Sequence, residues 1–207
     1  MTRSATAEPF AGDAAAAAPV ASLVTKAKAG ERWAFERLMR MFHGEIFRMV
    51  YHRIRTPWDA EDVTQDIFLL AYKNLASLKE ADRFRCWIFR IAVNRARDYN
   101  RRKKFFALFE PLGDHEKVRE LPDGDSNDHQ SMDAIDRETF WKEVGSYLEK
   151  LSRKEREVFT LRFVDHLNIR EISEVLGSGE SAIKTHLYRA LAKFRKNPSM
   201  SRWVEEG

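Results

Sequence analysis

The chain reads as all-α: two small helical domains joined by an acidic flexible linker, the second containing a helix-turn-helix. Three observations lead there. Apolar residues recur at steps of three and four along most of the 207 residues, and no stretch alternates apolar and polar residues long enough to suggest a sheet. One internal stretch, Glu110 to Asp136, shows no period and contains Pro111, Gly113, Pro122 and Gly124. A structureless loop of that length inside one compact domain is uncommon, so it reads as an interdomain linker. Charge divides the chain in the same way: the net charge is −1 over residues 1–19, +9 over 20–109, −7 over 110–136 and +3 over 137–207. Like charges keep the linker extended, and the basic blocks flanking it suggest a polyanionic partner.

Taken in order, residues 1–20 are alanine-rich, with Arg3 as the one cation and Glu8 and Asp13 as interruptions. They lack the apolar core of a signal peptide and read as a disordered tail of a cytoplasmic protein. Ala21 to Ala29 is a short helix ended by Gly30. From Glu31 to Ile54, the residues Phe35, Leu38, Met39, Phe42, Ile46, Met49, Val50 and Ile54 define one buried face. Thr56-Pro57 marks a break and a restart, because proline is tolerated at the first helical position. The helix it opens runs to about Ser77, with Val63, Ile67, Leu70 and Ala71 inward. A further helix runs from about Asp82 to Lys104, with Phe84, Trp87, Ile88, Ile91 and Ala92 on one side. This first domain spans 21–106, and the linker spans 107–136.

The second domain spans 137–197. Arg137 to Leu151 is one helix. Ser152-Arg153-Lys154-Glu155 is a capping box that opens the next, which carries Val158, Leu161 and Phe163. Asn168 caps a short helix ending at Gly177. Ser178 caps the last helix, to about Lys196, whose buried stripe is Ile183, Leu187, Ala190, Leu191 and Phe194. Residues 198–207 are a tail. Cys86 is the only cysteine, which excludes an internal disulfide and a cysteine-based zinc site. The six histidines are scattered, and no apolar run reaches the roughly 20 residues that span a bilayer. No metal, cofactor, small-molecule substrate or membrane insertion is expected.

Three surfaces could carry chemistry. Ile169–Leu176, the turn at Gly177 and the helix from Gly179 to Lys196 have helix-turn-helix spacing. The polar side of the last helix presents Ser181, Lys184, Thr185, Tyr188 and Arg189, with Lys193 further along and Arg170 on the helix before. Short polar groups near a helix start, with longer cations behind, suit entry into a major groove; a solvated face on an ordinary helical hairpin looks similar. On the Asp82–Lys104 helix, Arg83, Arg90, Arg97, Arg101 and Lys104 cluster opposite the apolar side, with Asn94 on their margin. That segment holds nine basic and two acidic residues. Such a ridge suits a nucleic-acid backbone and unstacked bases, or is only a soluble helix with surplus arginine. On the helix before it, Asp59, Asp62 and Asp66 share a stripe with Gln65 and Leu69. The stripe is open to three uses: a magnesium site of a nuclease, a protein-docking surface for arginines, or plain helix solubility with acids near a helix N-terminus.

These features in this order resemble a bacterial RNA polymerase sigma factor of the extracytoplasmic-function type. The telling stretches are Ala34-Phe35-Glu36-Arg37-Leu38, Asp59-Ala60-Glu61-Asp62-Val63-Thr64-Gln65-Asp66-Ile67-Phe68 and Trp87-Ile88-Phe89-Arg90-Ile91-Ala92-Val93-Asn94 in the first domain. In the second they are Leu151-Ser152-Arg153-Lys154-Glu155-Arg156-Glu157-Val158 and Ile183-Lys184-Thr185-His186-Leu187-Tyr188-Arg189-Ala190. The resemblance implies a non-enzymatic initiation factor with core RNA polymerase and promoter DNA as partners, and an anti-sigma factor as its inhibitor. It implies that Asp62, Gln65 and Asp66 dock on the polymerase, with Asp59 and Leu69 on the same stripe. It implies that the Asp82–Lys104 helix recognises and melts the minus-ten element, and that the last helix reads the minus-thirty-five element. Gly179-Glu180-Ser181-Ala182 departs from the Pro-x-Gly-Thr start common in the family, and His186 stands where arginine is common. The readings set against it are a helix-turn-helix regulator acting without polymerase and the metal-dependent nuclease.

Overall fold

The computed structural model describes residues 12–107 and 143–197. The chain divides into two units, Met1–Leu112 and Gly113–Gly207. The first holds α1 (Gly12–Lys28), α2 (Arg32–Ile54), α3 (Pro57–Asn74) and α4 (Phe84–Ala107). The second holds α5 (helical over residues 143–149), α6 (Arg153–Phe163), α7 (Ile169–Leu176) and α8 (Glu180–Arg195). Among the described residues there is no strand, so the all-α, two-domain expectation stands. The expected linker (Ala107 apart), the first residues of the helix expected from Arg137, and the 198–207 tail lie outside the described residues.

The first helix corrects one expectation. It begins at Gly12, so residues 12–20, read as tail, are helical. Alanine has the highest helix propensity, and the buried Val20, Val24 and Ala27 seat the helix where α1 meets α2. Gly30 ends it in the left-handed region, at φ +95°.

Along α2 the periodic residues are buried as expected, with Ala34 added and Met39 only half-buried. Arg55 closes the helix at φ 66° and donates its N–H to the Tyr51 carbonyl, 2.8 Å away. Thr56 is then the N-cap of α3 and Pro57 its first residue, where a missing N–H costs nothing. Val63, Ile67 and Ala71 are buried along α3 with Ala60, Thr64 and Phe68, whereas Leu70 is half-buried. Short 3₁₀ turns, Leu75–Ser77 and Ala81–Arg83, lead into α4.

The buried side of α4 is rotated about a quarter turn from the expected stripe. Phe84, Ile88 and Ala92 are buried, but so are Phe89, Val93 and Ala96, while Trp87 and Ile91 are only half-buried. The helix packs against both α2 and α3. It therefore buries about half of its circumference rather than one narrow stripe.

In the second unit Tyr147, Leu151, Phe159 and Ala190 form the buried cluster, with Val144, Leu148, Leu191 and Phe194 packed against it. Both predicted caps form. Ser152 Oγ accepts from the Glu155 N–H, and Glu155 Oε2 accepts from the Ser152 N–H at 2.9 Å. Asn168 and Glu171 make the same reciprocal pair at 2.9 and 2.8 Å. Gly177 closes α7 at φ 61°. The cap of α8 is Gly179, not Ser178. Ser178 belongs to the turn instead: its N–H bonds the Ser173 carbonyl at 3.1 Å, and its own carbonyl accepts from the Ser173 hydroxyl at 2.6 Å.

Candidate functional site

The α3 stripe is exposed at Asp62, Gln65, Asp66 and Leu69. Asp59 does not join them. It is half-buried beside the Tyr99 hydroxyl of α4. Burial, then the hydrogen bond and charge of Asp59, push that hydroxyl well above the usual tyrosine range. Asp66 Oδ2 lies 3.3 Å from Arg95 Nη2, also on α4. Gln65 Nε2 donates to Glu61 Oε1 at 3.4 Å, and His43 Nε2 lies 3.5 Å from the same oxygen. Asp59 and Asp66 are thus drawn toward different neighbours, Tyr99 and Arg95. Among the described residues no group of three or more His, Cys, Asp and Glu side chains could hold a metal ion. The arrangement is a surface, not a cage.

The ridge of α4 lies opposite its buried arc. Arg90, Asn94, Arg97, Arg101 and Lys104 are all exposed. Arg101 Nη2 reaches Asp98 Oδ1 at 3.1 Å. Arg83 stands ahead of the helix in the 3₁₀ turn, with Nε 2.6 Å from Glu80 Oε2. The rotation of the helix leaves half-buried Trp87 about one turn before Arg90, beside the cations. Its alternation with Phe84 and Ile88 disguised it as core. Lys103, absent from the expected set, places Nζ 5.9 Å from the centre of the Tyr99 ring.

On α8 the structure brings Ser181, Lys184, Thr185, Tyr188 and Arg189 onto an exposed face. Thr185 donates its hydroxyl back to the Ser181 carbonyl at 2.9 Å. Arg170 on α7 pairs with Glu174 one turn on, at 3.5 Å. Lys193 is also exposed, and its ammonium lies 2.7 Å from Glu155 Oε2. Glu155 is buried, and the Lys193 hydrogen bond, with those from Ser152, holds its carboxyl at about 2. Beside this pair the Tyr147 hydroxyl donates to the Ala190 carbonyl at 2.8 Å and is pushed up to about 12, chiefly by burial. His186 is half-buried, and its Nδ1 has no hydrogen-bond partner among the described residues.

The first unit presents an exposed acidic stripe and an exposed cationic ridge, and the second a supported helix-turn-helix. Such surfaces suit a protein that docks on another protein and reads nucleic acid. Residues 38–106 match the family model of sigma-70 region 2, and residues 141–194 that of sigma-70 region 4. The RNA polymerase sigma factor CnrH of Cupriavidus metallidurans is 31% identical over 176 residues, which cover 83% of this chain and 90% of that one. The ECF RNA polymerase sigma factor BldN of Streptomyces coelicolor is 30% identical over 170 residues, 82% of this chain and 62% of BldN, so the chain spans less than two thirds of that relative. In fold, the chain is similar to the sigma factor RpoE solved with the anti-sigma factor NepR from Bartonella quintana. The TM-score is 0.60 at 19% identity, over 77% of this chain and 92% of that one. The chain belongs to the sigma-70 family of RNA polymerase sigma factors, as a member of the extracytoplasmic-function type. Such factors direct core RNA polymerase to promoter DNA and are not a catalytic family. No described helix is long and apolar enough to cross a membrane.

Proposed function

We propose that three surfaces divide the work of this sigma factor. Asp62, Gln65, Asp66 and Leu69 on α3 dock on core polymerase. Arg90, Asn94, Arg97, Arg101 and Lys104 on α4, with Arg83 ahead of them, engage and melt the minus-ten element. Ser181, Lys184, Thr185, Tyr188 and Arg189 on α8 read the minus-thirty-five element, with Arg170 as a backbone contact. The polymerase and minus-ten work belongs to residues 21–106, and the minus-thirty-five work to 137–197. The factor acts in the bacterial cytoplasm, on the nucleoid when bound to polymerase, and has no catalytic step of its own. An anti-sigma factor holds it inactive. The family resemblance and the fold shared with the NepR-bound sigma factor support that assignment.

The observation that carries this reading is the separation of sign within the first unit. The acidic stripe on α3 repels a phosphate backbone and suits a basic protein surface, and the ridge on α4 does the reverse. The test is the double change Asp62→Asn and Asp66→Asn. Both side chains are exposed, so the melt should shift by no more than about 0.5 kcal/mol. In a desolvated interface against arginines each carboxylate is worth about 2–5 kcal/mol, so association with core polymerase should be lost. Undiminished pull-down of core enzyme by the folded double variant would remove α3 from the interface.

A further inference from the structure

The exposed face of α3 extends beyond the residues assigned to docking. At 100° per residue, Trp58, Asp62, Gln65, Leu69 and Tyr72 fall within an arc of about 80° over about 21 Å of helix, and all five are exposed. Trp58 is 83% accessible, Leu69 59% and Tyr72 52%. Single exposed apolar side chains are ordinary on a protein surface. Here three large ones share a face with the acidic residues expected to dock. The backbone at Trp58 and the ring of Tyr72 are held in place. Trp58 follows Pro57 in the first turn of α3, where the Ala60 N–H bonds the Thr56 carbonyl at 2.9 Å. The Tyr72 ring packs edge-on against Phe35 at 5.0 Å.

Charge selects the occupant. Asp62 lies within the stripe and Glu61 and Asp66 flank it, and the three carboxylates turn it away from nucleic acid. They also disfavour a second copy of the same face, since like carboxylates would meet in a drying interface. The remaining partner is a protein surface with cations spaced around an apolar cleft. We infer that Trp58 anchors α3 in the core polymerase interface: its indole fills an apolar cleft beside the cations that take Asp62 and Asp66. The inference rests on the docking role proposed above for α3 and extends it by a residue that the sequence motif does not contain.

The test measures association of purified core polymerase with the full chain and with Trp58→Ala, Trp58→Phe and the Asp62→Asn/Asp66→Asn double variant, each with a thermal melt. A buried tryptophan anchor is worth about 30-fold or more in affinity. Trp58→Ala should therefore weaken association by at least about that factor with an unshifted melt, and Trp58→Phe should recover part of the loss. If the aspartate variant loses binding and Trp58→Ala does not, the anchor is wrong and the α3 docking role stands. If neither loses binding, both are wrong. If only Trp58→Ala loses binding, the anchor stands and the carboxylates are not the contact. Self-association of the unaltered chain that Trp58→Ala abolishes would overturn the inference in favour of a second copy. Should Trp58→Ala fail to fold, oxidative footprinting of the unaltered chain decides: protection of Trp58 in the holoenzyme supports the anchor, and equal oxidation in the free and bound states overturns it.

Discussion

In the first unit the interior is apolar. Leu38, Ile46, Met49, Ile67, Ile88 and Ala92 are fully withdrawn from solvent, and Thr64 is the one polar side chain buried among them in the described residues. The charged groups proposed to face partners lie outside this core, some of them in exposed pairs such as Asp66–Arg95 and Arg101–Asp98. In the second unit Glu155 and Asp165 are buried, and the Glu155 carboxylate joins the start of α6 to the last turn of α8 through Lys193. The contrast is one of cause. A helix packed on two neighbours is positioned mainly by burial, with polar contacts such as Tyr99–Asp59, Arg85–Glu45 and Asn100–Arg53 at the margins of its core. A short helix-turn-helix has less apolar area to bury, and here a buried ion pair and the Tyr147–Ala190 hydrogen bond take part in positioning the reading helix.

The largest effect should come from breaking that tie. Glu155→Ala removes a buried pair and a capping box together, and should destabilise the second unit by about 3 kcal/mol while leaving the first unchanged. Urea unfolding followed by calorimetry or hydrogen exchange would resolve the two. Glu155→Gln retains the cap and should cost less. The pH dependence has a definite sign. The carboxyl is at about 2 in the folded unit against 4.5 for the free group. Its contribution is therefore fully present above about pH 4.5 and is lost as the pH falls toward 2. A second unit whose stability is flat across that range would mean that burial alone positions α8.

How much of this was legible follows from the range of each interaction. Pro57 at a helix start, the Ser152–Glu155 box, the Asn168 cap and the Gly177 turn are local devices, and all were read from neighbouring residues. The α2 face was legible because its buried residues recur at steps of three and four along the whole helix. On α4 the face was misplaced because two neighbours bury it, and no single-helix periodicity reports a second neighbour. Lys193 and Glu155 lie 38 residues apart, so nothing local announced their pairing. Trp58 was passed over because it precedes the acidic motif rather than belonging to it. Start residues are equally context-bound: Gly12 begins α1 where composition alone suggested a tail, and the turn takes Ser178 from its expected capping role.

An intermediate effect sharpens the comparison on the functional side. Arg189 is exposed on α8 and, unlike Lys193, makes no ion pair among the described residues. Arg189→Ala should therefore leave both units as stable as before, to within about 0.5 kcal/mol. It should weaken binding to minus-thirty-five DNA by about 1–3 kcal/mol and relax the sequence preference at one position. Binding measured across single-base variants of the element distinguishes a lost base contact from a lost phosphate contact, which weakens all variants alike. Lys193→Ala gives the opposite pattern: lower stability of the second unit, with the loss of DNA binding following the loss of fold.

The smallest expected effect is the most direct measure of how little charge holds the first unit. Asp66 and Arg95 approach to 3.3 Å, but their side chains are 59% and 33% exposed. Water and salt screen such a pair, and ordering two side chains offsets most of the remaining attraction. A double-mutant cycle with Asp66→Asn and Arg95→Gln should return a coupling of no more than about 0.5 kcal/mol, vanishing toward 1 M salt. The weakness bears on the docking role proposed for α3: an arginine of the polymerase could take Asp66 with almost no loss of fold stability. A coupling above about 1.5 kcal/mol that survives high salt would place charge among the forces that hold α3 to α4, and the contrast between the two units would fail.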